Sequence, residues 1–171
     1  SFAARLWFQL ALVGIPSEVL DGGFSYWVKK DLPVTRDVPK WQPTDIAAGQ
    51  SSEYVWPTVK IEHLATHPDP RFTLIDPVAG HIPGAVSLPG GDLFGTDGRL
   101  LSPEALRAYF KKRLGNRLSG AVILSCGSGV RACTVKLAME QAGLKSAGVY
   151  VDSFSGWIRD PRRPVTCEES L

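Results

Sequence analysis

The sequence predicts an α/β domain whose central parallel sheet is covered by helices on both faces. Three observations carry that class. Residues 72–75, 121–124 and 148–151 are short apolar segments with β-branched members, as expected of strands buried on both sides. Between them lie longer segments in which apolar residues recur at three and four positions, the helical period. At Cys126-Gly127-Ser128-Gly129-Val130-Arg131 an apolar strand passes through a tight glycine-bearing loop into a helix.

Taken in order, residues 1–14 have helical spacing and a glycine stop at Gly14. Residues 17–21 read as a short strand, and a helix begins at residues 22–27 and ends before Pro33. Residues 36–56, with Pro39 and Pro43 and no period, read as a linker. A helix is expected over 57–66 with proline in its first turn, then a strand over 72–76 that ends in Asp76. Ser102 and Pro103 give the N-cap and first turn of a further helix. The helix that follows Cys126 stops at Gly143, and a strand over 148–152 leads into Trp157.

The opening and closing segments repeat one another. Trp27 and Trp157 stand 130 positions apart, and Pro33 and Pro164, like Asp21 and Asp152, stand 131 apart. Residues 1–35 are therefore expected to be the last third of a first unit whose other parts lie outside this sequence. By themselves they are expected to leave Trp7, Phe8, Leu10 and Trp27 as an exposed apolar patch.

Composition sets broad limits. Over 171 residues, 44% are apolar and 21% charged, ordinary values for a globular chain. A net charge of +2 gives no ground for a nucleic-acid or membrane partner, and no apolar run reaches the ~20 residues of a membrane span. Residues 1–14 lack a basic start and a small-residue cleavage site, so they are not expected to be a signal peptide. Three unevenly spaced cysteines make no disulfide framework and favour a reducing compartment, cytoplasmic or mitochondrial.

The chemistry is expected at Cys126. A cysteine at the carboxyl end of such a strand lies where open α/β sheets carry their ligands. Glycines at 127 and 129 let successive N–H groups converge, and the next helix adds the positive end of its dipole. Both favour a thiolate, the nucleophilic form. A small buried cysteine, or an anion-binding turn without covalent chemistry, is the plainer alternative. Cys133, two helical turns on, reads as core. Cys167 lies in the C-terminal tail, His63 and His67 read as surface or capping residues, and His81 as a structural hydrogen-bonding residue. No Cys/His set has zinc-ligand spacing.

The Cys-Gly-Ser-Gly-Val-Arg-Ala loop resembles the active-site loop of the rhodanese-like sulfurtransferases, and its Cys-Gly-Ser-Gly-Val form is most similar to the 3-mercaptopyruvate branch. Arg131 departs from that branch, where threonine is usual, and is more typical of single-domain members. His81-Ile82-Pro83-Gly84-Ala85 resembles a second landmark of the family. The resemblance implies a tandem layout: residues 1–35 as the end of an inactive first domain, 36–56 as linker and 57–171 as the catalytic domain. It implies a persulfide on Cys126, stabilised by loop N–H groups of Gly127, Gly129, Val130 and Arg131, with Ser128 assisting proton movement at a mercaptopyruvate donor. It implies a small sulfur donor, a thiol acceptor such as thioredoxin, or cyanide, and no cofactor or metal. Thiosulfate is the alternative donor, and a non-catalytic rhodanese-like binding module the alternative role, although such a module would lack the cysteine. Tandem members carry about a score of residues, with substrate-binding arginines, where only Pro77, Val78 and Ala79 stand between Asp76 and Gly80; an omitted loop is expected there. Cysteine phosphatases place five residues between Cys and Arg, against four here, which leaves a loop tight for phosphate.

Overall fold

A computed structural model describes residues 2–43, 45, 49, 54–76, 82–146 and 148–166. Four parallel strands form the sheet: β1 (Phe72–Asp76), β2 (Val86–Ser87), β3 (Ala121–Leu124) and β4 (Gly148–Val149), in spatial order β2-β1-β3-β4. Phe72 pairs with Ala121 and Ile75 with Leu124 in the central ladder, and Leu124 pairs with Val149. The side-chain period of two sorts these strands between two cores. Ile75, Val122 and Leu124 enter one core, whereas Leu74 and Ile123 enter the other. Burial on both faces explains the unbroken Ala-Val-Ile-Leu run of β3.

Helices cover each face. On one side lie α1 (Phe2–Leu12), α4 (Pro103–Leu114) and α5 (Val130–Gln141); on the other lie α3 (Thr58–Thr66) and the short α6 (Ser153–Trp157). Ser102 caps α4, its Oγ accepting the Ala105 N–H at 3.3 Å, and Pro103 occupies the first turn. Leu106, Phe110 and Leu114, one turn apart, then face the core. α5 is buried on most of its surface because α1 lies along it, with Ala4 and Phe8 set into the shared core. No helix among the described residues is long and apolar enough to cross a membrane.

The internal repeat has a structural counterpart. α2 (Gly23–Lys29) and α6 each carry a tryptophan whose indole N–H closes the segment onto a proline carbonyl: Trp27 Nε1 donates to Pro33 O at 2.9 Å, and Trp157 Nε1 to Pro164 O at 2.8 Å. Gly23 and Ser153, 130 positions apart, both start their helices at positive φ, 62° and 51°.

Four expectations need correction. Residues 17–21 form no strand: they pass beside Arg99 and Leu100, with no ladder partner among the described residues. Asp21 instead accepts hydrogen bonds from Arg99 Nε at 2.6 Å and from the Leu100 N–H at 3.2 Å. Tyr54, Val55 and Trp56, placed in the linker by the sequence, lie along β4: Val149 N–H donates to Tyr54 O and Trp56 N–H to Val149 O. The strand expected over 148–152 is confined to Gly148–Val149, since Asp152 already precedes α6. Phe8 is buried rather than exposed, covered by α5, and Trp7, Leu10 and Trp27 are half-buried; the exposed large apolar residues of this segment are Phe2, Leu6, Leu20, Phe24, Val28, Leu32 and Val34.

Candidate functional site

Cys126 lies just past β3, where the strand's last backbone groups are still tied to both neighbours: Ser125 N–H donates to Ile75 O and Tyr150 N–H to Leu124 O, each at 2.8 Å. Four residues later α5 begins. The turn between them requires Gly129 in the left-handed region, φ 78°. A Cβ there would meet Val151 O at 2.6 Å and Arg5 Nη1 at 2.9 Å, so the position is closed on two sides. Gly127 has open space around it.

This backbone aims one donor directly at the sulfur. Gly129 N–H donates to Cys126 Sγ at 3.0 Å. The loop carbonyls are held elsewhere. Phe154 N–H donates to Cys126 O at 2.8 Å, and Gly127 O accepts from both the N–H and the Oγ of Ser155, at 2.9 and 2.6 Å. Gly129 O accepts from the Cys133 thiol at 3.1 Å. A trans peptide points its N–H opposite its carbonyl. Each anchored carbonyl therefore turns the N–H of the following residue, Gly127, Ser128 or Val130, away from its anchor. The first turn of α6 and the Cys133 side chain thus act as a frame behind the loop.

Cys126 itself is 1% exposed, with Gly127 and Ser128 exposed beside it. Its N–H donates to Ser153 Oγ at 3.2 Å, and the Ser153 hydroxyl in turn donates to Tyr150 O at 2.7 Å. Burial pushes the Cys133 thiol up from its ordinary value, with Arg5 opposing in part, so Cys133 is suited to its role as a neutral donor to Gly129 O.

The structure thus brings together Cys126, Gly127, Gly129 and Val130. Ser128 and Arg131 are exposed at the rim, Arg131 on the first turn of α5. His63 and His67 are exposed on and just after α3, their rings stacked at 4.9 Å, and take no part in the loop. His81, Cys167 and the 77–80 stretch lie outside the described residues. A cavity of about 540 Å³ opens between α1, residues 17–23 and α5, lined by Trp7, Leu20, Phe94 and Leu137, but Cys126 does not line it. Sequence reasoning missed Ser153, Ser155 and Arg5. The first two sit where the repeat has Gly23 and Ser25, and replacement of a turn glycine by serine at 153 was a readable signal. Arg5 carried none, because its contact spans 124 positions.

Comparison with known proteins gives the family and the fold. The family model for the rhodanese-like domain matches residues 51–160. A probable 3-mercaptopyruvate sulfurtransferase of Pseudomonas aeruginosa is 36% identical over 96% of this chain and 63% of its own length. The thiosulfate sulfurtransferase of Mus musculus is 32% identical, over 92% of this chain and 59% of its own. SseA from Escherichia coli, a structure described for the rhodanese fold and catalytic mechanism of 3-mercaptopyruvate sulfotransferases, matches with a TM-score of 0.76 at 27% identity, covering 90% of this chain and 61% of that one. The chain spans about three-fifths of the length of the curated relatives it matches.

Proposed function

Since the chain belongs to the rhodanese-like family, we propose that it is the sulfur-accepting part of a sulfurtransferase, with Cys126 as nucleophile and 3-mercaptopyruvate as donor. The observation that carries this reading is the Gly129 N–H aimed at Cys126 Sγ at 3.0 Å, at the amino end of a helix. The Cys126 thiolate attacks the donor sulfur, the carbon–sulfur bond breaks, and the released enolate takes a proton to become pyruvate. The terminal sulfur of the resulting persulfide lies among the N–H groups of Gly127, Gly129, Val130 and Arg131, and Ser128 assists the proton movement. A thiol such as that of thioredoxin, or cyanide, then attacks the terminal sulfur and returns Cys126 as thiolate, giving an acceptor persulfide or thiocyanate.

The choice of donor rests on charge. The exposed residues directly after Cys126, Gly127 and Ser128, are uncharged and offer nothing to attract dianionic thiosulfate, and Arg131 stands at the rim on the first turn of α5, exposed to solvent. Thiosulfate remains the second reading because a thiosulfate sulfurtransferase is among the relatives of comparable identity. Paired steady-state assays of full-length protein decide between them. A higher kcat/KM for 3-mercaptopyruvate is expected; a higher value for thiosulfate overturns the donor and leaves sulfur transfer standing.

Residues 1–35 are read as the closing part of a first rhodanese-like domain, 36–56 as the linker, whose last residues Tyr54–Trp56 join the sheet along β4, and 57–171 as the catalytic domain. The matching Trp27–Pro33 and Trp157–Pro164 bonds and the exposed Phe2, Leu6 and Phe24 support this layout. The low cysteine content supports a reducing compartment, cytoplasmic or mitochondrial.

A further inference from the structure

We propose that Arg5 is a positioning residue for the Cys126 loop: from α1, its guanidinium holds the carbonyl of the Gly129–Val130 peptide and so fixes the direction of the Val130 N–H. The proposal rests on the sulfurtransferase reading and extends it to a residue outside the catalytic domain.

Geometry comes first. Arg5 Nη1 lies 3.5 Å from Gly129 O and 4.0 Å from Cys133 Sγ, and it bounds Gly129 on one side. Val130 is the first residue of α5, and its N–H has no partner within the helix. Because the peptide is planar and trans, holding Gly129 O on the Arg5 side turns the Val130 N–H to the opposite side. Gly129 is then fixed through both of its polar groups, its N–H on Cys126 Sγ and its carbonyl between Arg5 and the Cys133 thiol. Arg5 is delivered with little freedom, because Ala4 and Phe8 on either side of it along α1 are 3% and 1% exposed in the shared core.

Electrostatics points the same way. A helix amino end repels cations, yet Arg5 sits at the amino end of α5, and among the described residues it forms no ion pair with a carboxylate. Such a placement is favourable when an anion occupies the loop. Thiolate and persulfide on Cys126 are both anions, and Arg5 adds to the field that the N–H groups supply.

The test uses full-length Arg5→Met, Arg5→Lys and Arg5→Ala variants, with kcat, KM, melting temperature and the rate of Cys126 alkylation by iodoacetamide measured for each. Because Arg5 acts through the Gly129 carbonyl, kcat should fall about tenfold or more in Arg5→Met while donor KM stays within about twofold. Alkylation of Cys126 should slow in parallel, and millimolar guanidinium ion should restore part of the activity of Arg5→Ala. Arg5→Lys keeps a cation and should retain more activity than Arg5→Met. Unchanged kcat and alkylation per folded molecule, with only a lower melting temperature, overturn the proposal. So does failure of all three variants to fold, which would make the role structural. If the parent protein transfers no sulfur from either donor, the sulfurtransferase reading fails, and the alkylation rates still decide the role of Arg5.

Discussion

Gly129→Ala puts the loop geometry under direct stress. The residue has φ 78°, where an L side chain costs about 1–2 kcal/mol. The new methyl would also stand 2.6 Å from Val151 O, well inside ordinary contact. That oxygen is main chain, one residue before Asp152 and the start of α6, so it has little room to yield. Strain and clash together amount to about 3 kcal/mol, or a melting temperature lower by roughly 6–12 °C for a chain of this size. Relief requires the loop to move, and the donor on Cys126 Sγ moves with it; losing one such preorganised donor lowers kcat by about a hundredfold or more. Gly127→Ala is the matched control, because its Cβ meets nothing within 4 Å; it should stay within about 0.5 kcal/mol of the parent. Thermal melts and steady-state kinetics on both variants provide the assay. Equal melting temperatures and equal kcat for the two alanines would refute the reasoning from backbone closure at residue 129.

Cys126→Ser should abolish sulfur transfer and leave the circular dichroism spectrum unchanged, whereas Cys133→Ser should keep most activity, since a hydroxyl can still donate to Gly129 O; equal losses in two folded variants would reverse the assignment of the nucleophile. Ser153→Ala leaves the buried Cys126 N–H without its acceptor and should cost about 1–3 kcal/mol in chemical denaturation, a result contradicted by parent-like stability. Tyr109 has its phenol pushed up to about 12, by burial first and then by the neighbouring Asp92 carboxylate. Its folded value lies above the unfolded one, so its contribution to stability is complete below pH 10 and is lost as pH rises from about 10 through about 12. Burial also pushes the Tyr150 phenol up, so ultraviolet titration should show both tyrosines ionising late, and Asp92→Asn should bring only the Tyr109 transition down.

The sheet was readable where burial dictated composition. β1 and β3 are buried on both faces, so their apolar runs stood out, and Ser102-Pro103 marked the start of α4 by cap chemistry alone. The loop was readable because its chemistry is local: Cys126, Gly127, Gly129 and the start of α5 are contiguous. What sequence supplied least was the frame behind the loop. Ser153, Ser155 and Arg5 reach it from 27, 28 and 124 positions away, and apart from the Gly23-to-Ser153 exchange in the repeat nothing marks them. The strand expected over 17–21 failed for a related reason: β-type composition makes a strand only where a ladder partner is at hand, and this segment meets Arg99 and Leu100 instead.

The central claim is that Cys126 carries sulfur during turnover. Full-length protein is incubated with 3-mercaptopyruvate without an acceptor, alkylated, digested and analysed by mass spectrometry. The account predicts one added sulfur atom on the peptide containing Cys126, lost again when a thiol or cyanide is supplied, and absent in Cys126→Ser. An unmodified Cys126 under conditions where pyruvate is released, or the added sulfur on Cys133 instead, would contradict it.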